Sequence, residues 1–286
     1  MKCKVEKSKI TGQIICPSNK SYTHRAIFLA SLAGNNSKVD NALLSADTAA
    51  TIDACKKFGA VIKTQNSTII AENPIKLDVN VPEINTENSG TTIRIASGIA
   101  SLFSNEITLT GDESLQKRPM QPLLDALESI GAQCDSTDGK PPIKIKGKIL
   151  GGNVSIPGNL SSQFVSALLI SAPLTEKGIN LTIEGNLVSK PYLDATIATM
   201  RKFGVTVQTL IPYKKYNITP QIYKSATFTV PIDFSSLGLL LSAVVLNGED
   251  VTIKGNLGDL PQGDEVFLDI LEQLGVSVTI NDDEIK

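Results

Sequence analysis

A chain of 286 residues, 41% hydrophobic and 20% charged, has the balance of an ordinary globular protein and the length of about two domains. No apolar run approaches the roughly 20 residues that span a bilayer, and a net charge of −2 with no Trp, five Tyr and eight Phe argues against a nucleic-acid face, basic or stacking. One histidine and four scattered cysteines, Cys3, Cys16, Cys55 and Cys134, with no C-x-x-C pair, offer no metal framework and read as isolated buried thiols.

The sequence opens on Met1-Lys2-Cys3-Lys4-Val5-Glu6-Lys7, where charged and apolar residues alternate. This reads as a strand of a cytoplasmic protein, because a signal peptide needs an apolar centre and a small-residue cleavage site. Next comes Asn19-Lys20-Ser21 before an apolar, helix-like run, and comparable starts follow at Asn88-Ser89-Gly90-Thr91, Ser161-Ser162-Gln163 and Asp233-Phe234-Ser235-Ser236. Their serines 21, 89, 161 and 235 are 68, 72 and 74 residues apart. A second motif recurs with the same period: Lys57-Phe58-Gly59-Ala60-Val61, Ser129-Ile130-Gly131-Ala132-Gln133, Lys202-Phe203-Gly204-Val205-Thr206 and Gln273-Leu274-Gly275-Val276-Ser277, with glycines 72, 73 and 71 residues apart. Amphipathic stretches such as 50–58 and 122–130 precede the glycines at helical spacing. Each glycine is expected to end its helix in the left-handed conformation, with a strand to follow. The sequence thus reads as four copies of one α/β unit with two helices and several strands. Repeats of this kind need neighbours to bury their apolar faces. The fourth copy stops at 281–286, where earlier copies have a hairpin under way, so the chain reads as shortened.

Ser, Thr, Asn and Asp at a helix start ordinarily cap free backbone N–H groups, and any one of these motifs can be only that. As a set they say more, since helix N-termini attract anions and a pseudo-symmetric repeat aims several at one region. Lys20, Arg25, Arg94 and Arg118 lie beside or just inside such starts, where a cation opposes the helix dipole; that local conflict is of the kind functional sites show. Gly90 either lets a ligand approach the backbone or simply serves a turn. Gln163 with Ser161 and Ser162 can orient a polyol or carboxylate or act as caps. Ser189-Lys190-Pro191-Tyr192 precedes a further helix, and Tyr192 offers a flat face and a hydroxyl.

Pro17-Ser18-Asn19-Lys20-Ser21-Tyr22-Thr23-His24-Arg25-Ala26, Asn88-Ser89-Gly90-Thr91-Thr92-Ile93-Arg94, Lys117-Arg118-Pro119-Met120, Ser161-Ser162-Gln163-Phe164 and Ser189-Lys190-Pro191-Tyr192 closely resemble, in this order, the signatures of the enolpyruvylshikimate-phosphate synthase family. The resemblance implies an α/β, enolpyruvyl transferase-like fold: two domains of pseudo-repeated units around buried parallel helices, with ligands between them. On that pattern residues 1–17 join the second domain, 18–230 form a complete domain of three repeats, and 231–286 are the first repeat of the other. The implied reaction transfers the enolpyruvyl group of phosphoenolpyruvate to the 5-hydroxyl of 3-phosphoshikimate and releases phosphate, in a monomer, without a cofactor.

Carried over by position, Lys20 contacts both substrates, Ser21 and Arg25 hold 3-phosphoshikimate, and Ser161, Ser162, Gln163 and Ser189 take its phosphate and ring, with Tyr192 nearby. Gly90 and Arg118 cradle phosphoenolpyruvate, and Asn88 and Thr91 shape that loop. The family's acid and base are carboxylates past residue 286, so no catalytic residue is assigned, and His24 is expected either to serve packing or to support the site from behind its substrate contacts. Two rival readings remain: the related transferase acting on UDP-N-acetylglucosamine, which carries a reactive Cys near 117–119 where this chain has none, and an inactive fragment that still binds 3-phosphoshikimate.

Overall fold

The computed structural model describes all residues except Met1, Lys2, Val5, Lys7, Ser8, Pro82 and Asp282. Much of the strand expected at 1–7 therefore lies outside the described residues, and the first strand observed is β1 (Ile10–Ile15). The first unit then runs α1 (Lys20–Ala33), β2 (Ser37–Asp40), α2 (Ala46–Lys57), β3 (Val61–Gln65), β4 (Thr68–Asn73). The second runs β5 (Glu83–Asn85), α3 (Gly90–Ala100), β6 (Ile107–Thr110), α4 (Gln121–Ser129), β7 (Gln133–Thr137), β8 (Lys140–Lys146). The third runs β9 (Gly152–Pro157), α5 (Ser162–Ser171), β10 (Ile179–Glu184), α6 (Lys190–Lys202), β11 (Gln208–Ile211), β12 (Lys215–Ile218). The last comprises β13 (Thr227–Thr229), α7 (Phe234–Asn247), β14 (Gly248–Lys254), α8 (Val266–Gln273), β15 (Ile280–Asn281), β16 (Glu284–Ile285).

All four repeat glycines have positive φ, from +80° at Gly204 to +115° at Gly131, as expected of helix ends. The strand follows within two residues at Gly59 and Gly131 but later at Gly204, where the Thr206 N–H bonds the Gln221 side chain instead of a neighbouring strand. At the end of the chain a short hairpin, β15 with β16, does form.

Each unit builds one four-stranded sheet of the same order: a lead strand parallel to the next, then an antiparallel hairpin. Parallel neighbours need a crossover, and α3 and α5 supply it between β5 and β6 and between β9 and β10. The first and last units exchange lead strands. β13 pairs with β2, and β1 pairs with β14. The chain therefore passes twice through one junction, where Asn19 N–H donates to Pro231 O at 2.8 Å and Asp233 N–H to Pro17 O at 2.8 Å. One apolar cluster reaches from Tyr22 to Val230, and a second, smaller one gathers Cys16, Ile232, Phe234, Leu237, Leu241, Ile253, Leu271 and Ile285.

Helices α1, α3 and α5 are nearly wholly buried and carry apolar residues all round. Some of their buried hydroxyls turn back on their own helix, Ser97 to Ile93 O at 2.7 Å and Ser166 to Ser162 O at 3.1 Å, while Ser31 Oγ and His24 Nε2 in α1 and Arg94 Nε in α3 are buried without a partner. In α7, by contrast, Leu239 and Leu246 are exposed although the helix is just as apolar. The isolated-thiol reading applies to Cys16 and Cys55, which are buried and whose pKa burial raises to about 11 and about 12; Cys134 is half-buried and Cys3 exposed.

Candidate active site

The repeat brings five helix N-termini to one cavity of about 530 Å³: Lys20 and Ser21 from α1, Asp47 from α2, Gly90 and Thr91 from α3, Ser161 to Gln163 from α5, and Ser189 at the head of α6. Asn88, Arg118 and Tyr192 complete the wall with Leu160 and Val188. Every residue singled out as a substrate contact lies there except Arg25.

Arg25 sits behind the wall, 1% exposed. Its Nε donates to Thr196 Oγ1 at 2.7 Å, Nη1 to Ser21 O at 2.9 Å, and Nη2 to Tyr192 O at 3.0 Å and to Ser166 Oγ at 3.5 Å. No carboxylate accompanies it among the described residues, and burial lowers its pKa to about 10. Arg25 thereby fixes the backbone beneath Ser21 and Tyr192, and one Nη1 N–H remains unspent on protein.

Capping explains part of the motif set. Asn19 accepts from Tyr22 N–H at 2.9 Å, Ser89 from Thr92 N–H at 3.3 Å and Ser161 from Gln163 N–H at 3.2 Å. Ser189 caps nothing. It is held at φ +55°, a conformation that costs a non-glycine residue of order 1 kcal/mol or more, and its hydroxyl stays available at the head of α6. Pro191 in that first turn has no N–H to orphan.

The electrostatics are lopsided toward cations. Lys20 Nζ lies 3.0 Å from Asp47 Oδ2, and Asp47 is the cavity's one carboxylate among the described residues. Arg118 lies in the loop before α4, not inside a helix start, and no described carboxylate pairs with it. Arg94, one turn into α3, donates from Nη1 to Gln163 Oε1 at 2.6 Å, packs 5.3 Å from the Phe164 ring centre, and leaves Nε without a partner. Burial, and then the like charge of Arg118, lower the Arg94 pKa to about 10. Gly90 makes this crowding possible: a Cβ there would stand 2.6 Å from Arg118 Nη1 and 3.2 Å from Arg94 Nη1. Because Arg94 claims Gln163 Oε1 and Gln163 Nε2 donates to Thr91 Oγ1 at 3.0 Å, the amide of Gln163 is fixed with its donor side toward the α3 start.

Arg94 and Asp47 are not among the residues expected to contact substrate. Arg94 was visible as a cation against a helix dipole; an Asp in the first turn of a helix is too ordinary to stand out.

His24 is buried, with Nδ1 2.6 Å from Thr51 Oγ1 and Nε2 unpartnered. Burial lowers its pKa to about 3. A folded state that keeps this imidazole neutral binds fewer protons than the unfolded chain below about pH 6.5, so stability is lost as pH falls from about 6.5 toward about 3. The part due to this residue is on the order of 4 kcal/mol at the acid end. Urea unfolding at pH 7.5 and 4.5 should show a smaller loss for His24→Asn than for the parent; equal losses would remove His24 from the account.

The fold, a set of like α/β units whose helix heads converge on one cavity, is that of the enolpyruvyl transferases. EPSP synthase from Acinetobacter baumannii superposes with a TM-score of 0.82 at 25% identity over 97% of this chain and 64% of that one. The enolpyruvyl transferase NikO from Streptomyces tendae shares the fold at a TM-score of 0.70 and 16% identity. The family model described as EPSP synthase (3-phosphoshikimate 1-carboxyvinyltransferase) matches residues 5–286, and the chain belongs to that family. The 3-phosphoshikimate 1-carboxyvinyltransferase of Nitrosopumilus maritimus (strain SCM1) is 83% identical over the whole chain, and that of Methanosphaera stadtmanae 40% identical. The chain spans 68% and 69% of the length of these two relatives.

Proposed function

We propose that the cavity binds 3-phosphoshikimate beside phosphoenolpyruvate and takes part in transferring the carboxyvinyl group of the second to the 5-hydroxyl of the first. One observation supports this most strongly: five helix heads, Lys20 and Arg118 line a space that holds a single carboxylate among the described residues, with Arg94 behind it on Gln163 Oε1. Such a field suits two anions that otherwise repel each other. The heads of α5 and α6, with Ser161, Ser162, Gln163 and Ser189, take the phosphate of 3-phosphoshikimate, with Tyr192 alongside its ring. Ser21 and the spare Nη1 N–H of Arg25 serve its carboxylate, which requires that carboxylate to reach down between Ser21 and Tyr192. Gly90 N–H and Arg118, whose planar guanidinium matches a carboxylate or phosphate, hold phosphoenolpyruvate in the loop shaped by Asn88 and Thr91. Lys20 bridges the two.

In the transfer, the 5-hydroxyl oxygen bonds to C2 of phosphoenolpyruvate as C3 gains a proton. The hydroxyl gives up its own proton in this step; the tetrahedral adduct then breaks its C2–O bond to phosphate and loses a proton from C3, which restores the C2–C3 double bond. Cations fixed in advance at the carboxylate and phosphate stabilise charge without reorganising. No acid or base is assigned, because Asp47 is committed to Lys20. We further read the two apolar clusters as two domains meeting at the 16–19 and 230–233 junction, in a cytoplasmic monomer that does not bind nucleic acid. Among the described residues no helix is long and apolar enough to cross a membrane.

Thermal unfolding separates this reading from its closest rival. Ligands that bind only the folded chain raise its midpoint, so 3-phosphoshikimate should raise it while UDP-N-acetylglucosamine leaves it unchanged. Protection by the nucleotide sugar instead would overturn the assignment.

A further inference from the structure

Four buried side chains outside the substrate contacts form a continuous chain. His24 Nδ1 lies 2.6 Å from Thr51 Oγ1, Thr51 Oγ1 lies 2.7 Å from Thr92 Oγ1, and Thr92 Oγ1 lies 2.6 Å from Ser89 Oγ. All four are at most 1% exposed. The chain joins α1, α2 and α3, and it ends at the N-cap of α3, where Ser89 Oγ also accepts the Thr92 N–H at 3.3 Å. Side-chain hydroxyls inside helices generally bond back to their own backbone, as Ser97 and Ser166 do. Thr51 and Thr92 instead make their short bonds across the helix interfaces; the in-helix alternative for Thr51, to Asp47 O, is long at 3.4 Å.

We propose that His24, Thr51, Thr92 and Ser89 act together as a positioning relay that sets the head of α3, and with it Gly90, against Lys20 on α1. The two ends of the relay make the claim specific. His24 lies four residues along α1 from Lys20, and Ser89 immediately precedes Gly90. Hydrogen bonds between side chains tolerate little sliding, whereas apolar helix contacts alone permit a slide of a few tenths of an ångström, enough to misplace a backbone N–H relative to an ammonium. The tautomer follows from the unpartnered Nε2. A buried bare N–H is rarer than a buried bare lone pair, so the proton sits on Nδ1 and His24 donates to Thr51. Thr51 then donates to Thr92 and Thr92 to Ser89, all bonds running one way toward the phosphoenolpyruvate loop.

The proposal rests on the assignment of Gly90 and Lys20 to phosphoenolpyruvate, and its test has one arm that does not. In the ligand-free chain, Thr51→Val, which changes no group near Gly90, should raise hydrogen exchange at the Gly90 and Thr92 amides while the Gln163 and Tyr192 amides at α5 and α6 keep their rates. Unchanged exchange, or a rise at all four heads alike, overturns the relay whatever the ligands are. With 3-phosphoshikimate present, Thr92→Val and His24→Leu should each weaken phosphoenolpyruvate binding about tenfold, the worth of one buried hydrogen bond, and leave 3-phosphoshikimate affinity unchanged. His24→Asn, which restores a polar atom near the Nδ1 position, should recover most of the loss. Equal loss of both ligands would mean general damage to the fold and would contradict positioning. Raised exchange in Thr51→Val together with a parent chain that binds neither ligand would leave the relay standing and sink the functional reading.

Discussion

Replacing Lys20 by Met should weaken phosphoenolpyruvate binding by about a thousandfold and 3-phosphoshikimate binding by about tenfold or more, as two effects of one substitution add. The ammonium itself supplies charge-assisted hydrogen bonds of roughly 1.5–3 kcal/mol to each anion. Its loss also unmasks Asp47, whose carboxylate is neutralised at 3.0 Å by Lys20 Nζ. A bare carboxylate near a bound anion costs on the order of 1–4 kcal/mol, between the limits for bulk water and for a protein surface. The second effect can be separated from the first. In Lys20→Met/Asp47→Asn the repulsion is gone while the lost donors stay lost, so the double variant should bind about tenfold better than the single one. Calorimetric titration of the parent, both single variants and the double variant completes the cycle. A double variant no better than Lys20→Met would show that Asp47 has no electrostatic part in the site.

In the same cavity, Arg118→Ala should raise the phosphoenolpyruvate dissociation constant about a hundredfold, the worth of a bidentate guanidinium contact, and leave 3-phosphoshikimate within about threefold. Gly90→Ala supplies a graded version of the same change. Its Cβ would meet Arg118 Nη1 at 2.6 Å, and because that atom is the far end of a flexible side chain, the guanidinium gives way rather than the backbone. Gly90 lies in the first turn of α3 without a positive φ, where alanine is the better helix former, so the variant should be as stable as the parent or more so. The expected signature is opposite signs in one protein: an unfolding midpoint that holds or rises, and phosphoenolpyruvate binding down about tenfold. Both quantities falling together would mean that α3, not Arg118, had moved.

What the sequence revealed and what it hid differ in physical kind. Gly59, Gly131, Gly204 and Gly275 announced the repeat because a helix end with positive φ restricts the residue type, and a restriction repeated four times is visible as a period. The helix starts were legible for the same reason, since N-caps come from a short list of side chains. That list could not say which starts were merely capped. Ser161 spends its oxygen on Gln163 N–H, Ser189 spends nothing, and only the backbone angle of Ser189 distinguishes them.

Long-range pairings left less trace. The exchange of β1 and β13 between units rests on short strands whose partners lie far along the chain, and three residues, Thr227–Thr229, carry too little pattern to disclose that they pair with β2. The family pattern implies that Arg25 holds 3-phosphoshikimate, but a sequence cannot say how deeply such a side chain sits, and arginine is seldom buried without a carboxylate. The fold instead surrounds it with the carbonyls of Ser21 and Tyr192 and the hydroxyls of Thr196 and Ser166. His24 fits the packing role expected of it, yet its bond to Thr51 joins residues 27 positions apart on two helices, a contact that no local pattern encodes.

The central claim is that the heads of α1, α5 and α6 together hold 3-phosphoshikimate, and amide NMR during a titration with that compound addresses it most directly. The amides of Ser21, Gln163 and Tyr192 should shift together along one saturable curve, while amides of the separate cleft at Arg201 and Thr209 stay still. Shifts confined to Arg201 and Thr209, or no saturable shift at any of the three helix heads, would contradict the account.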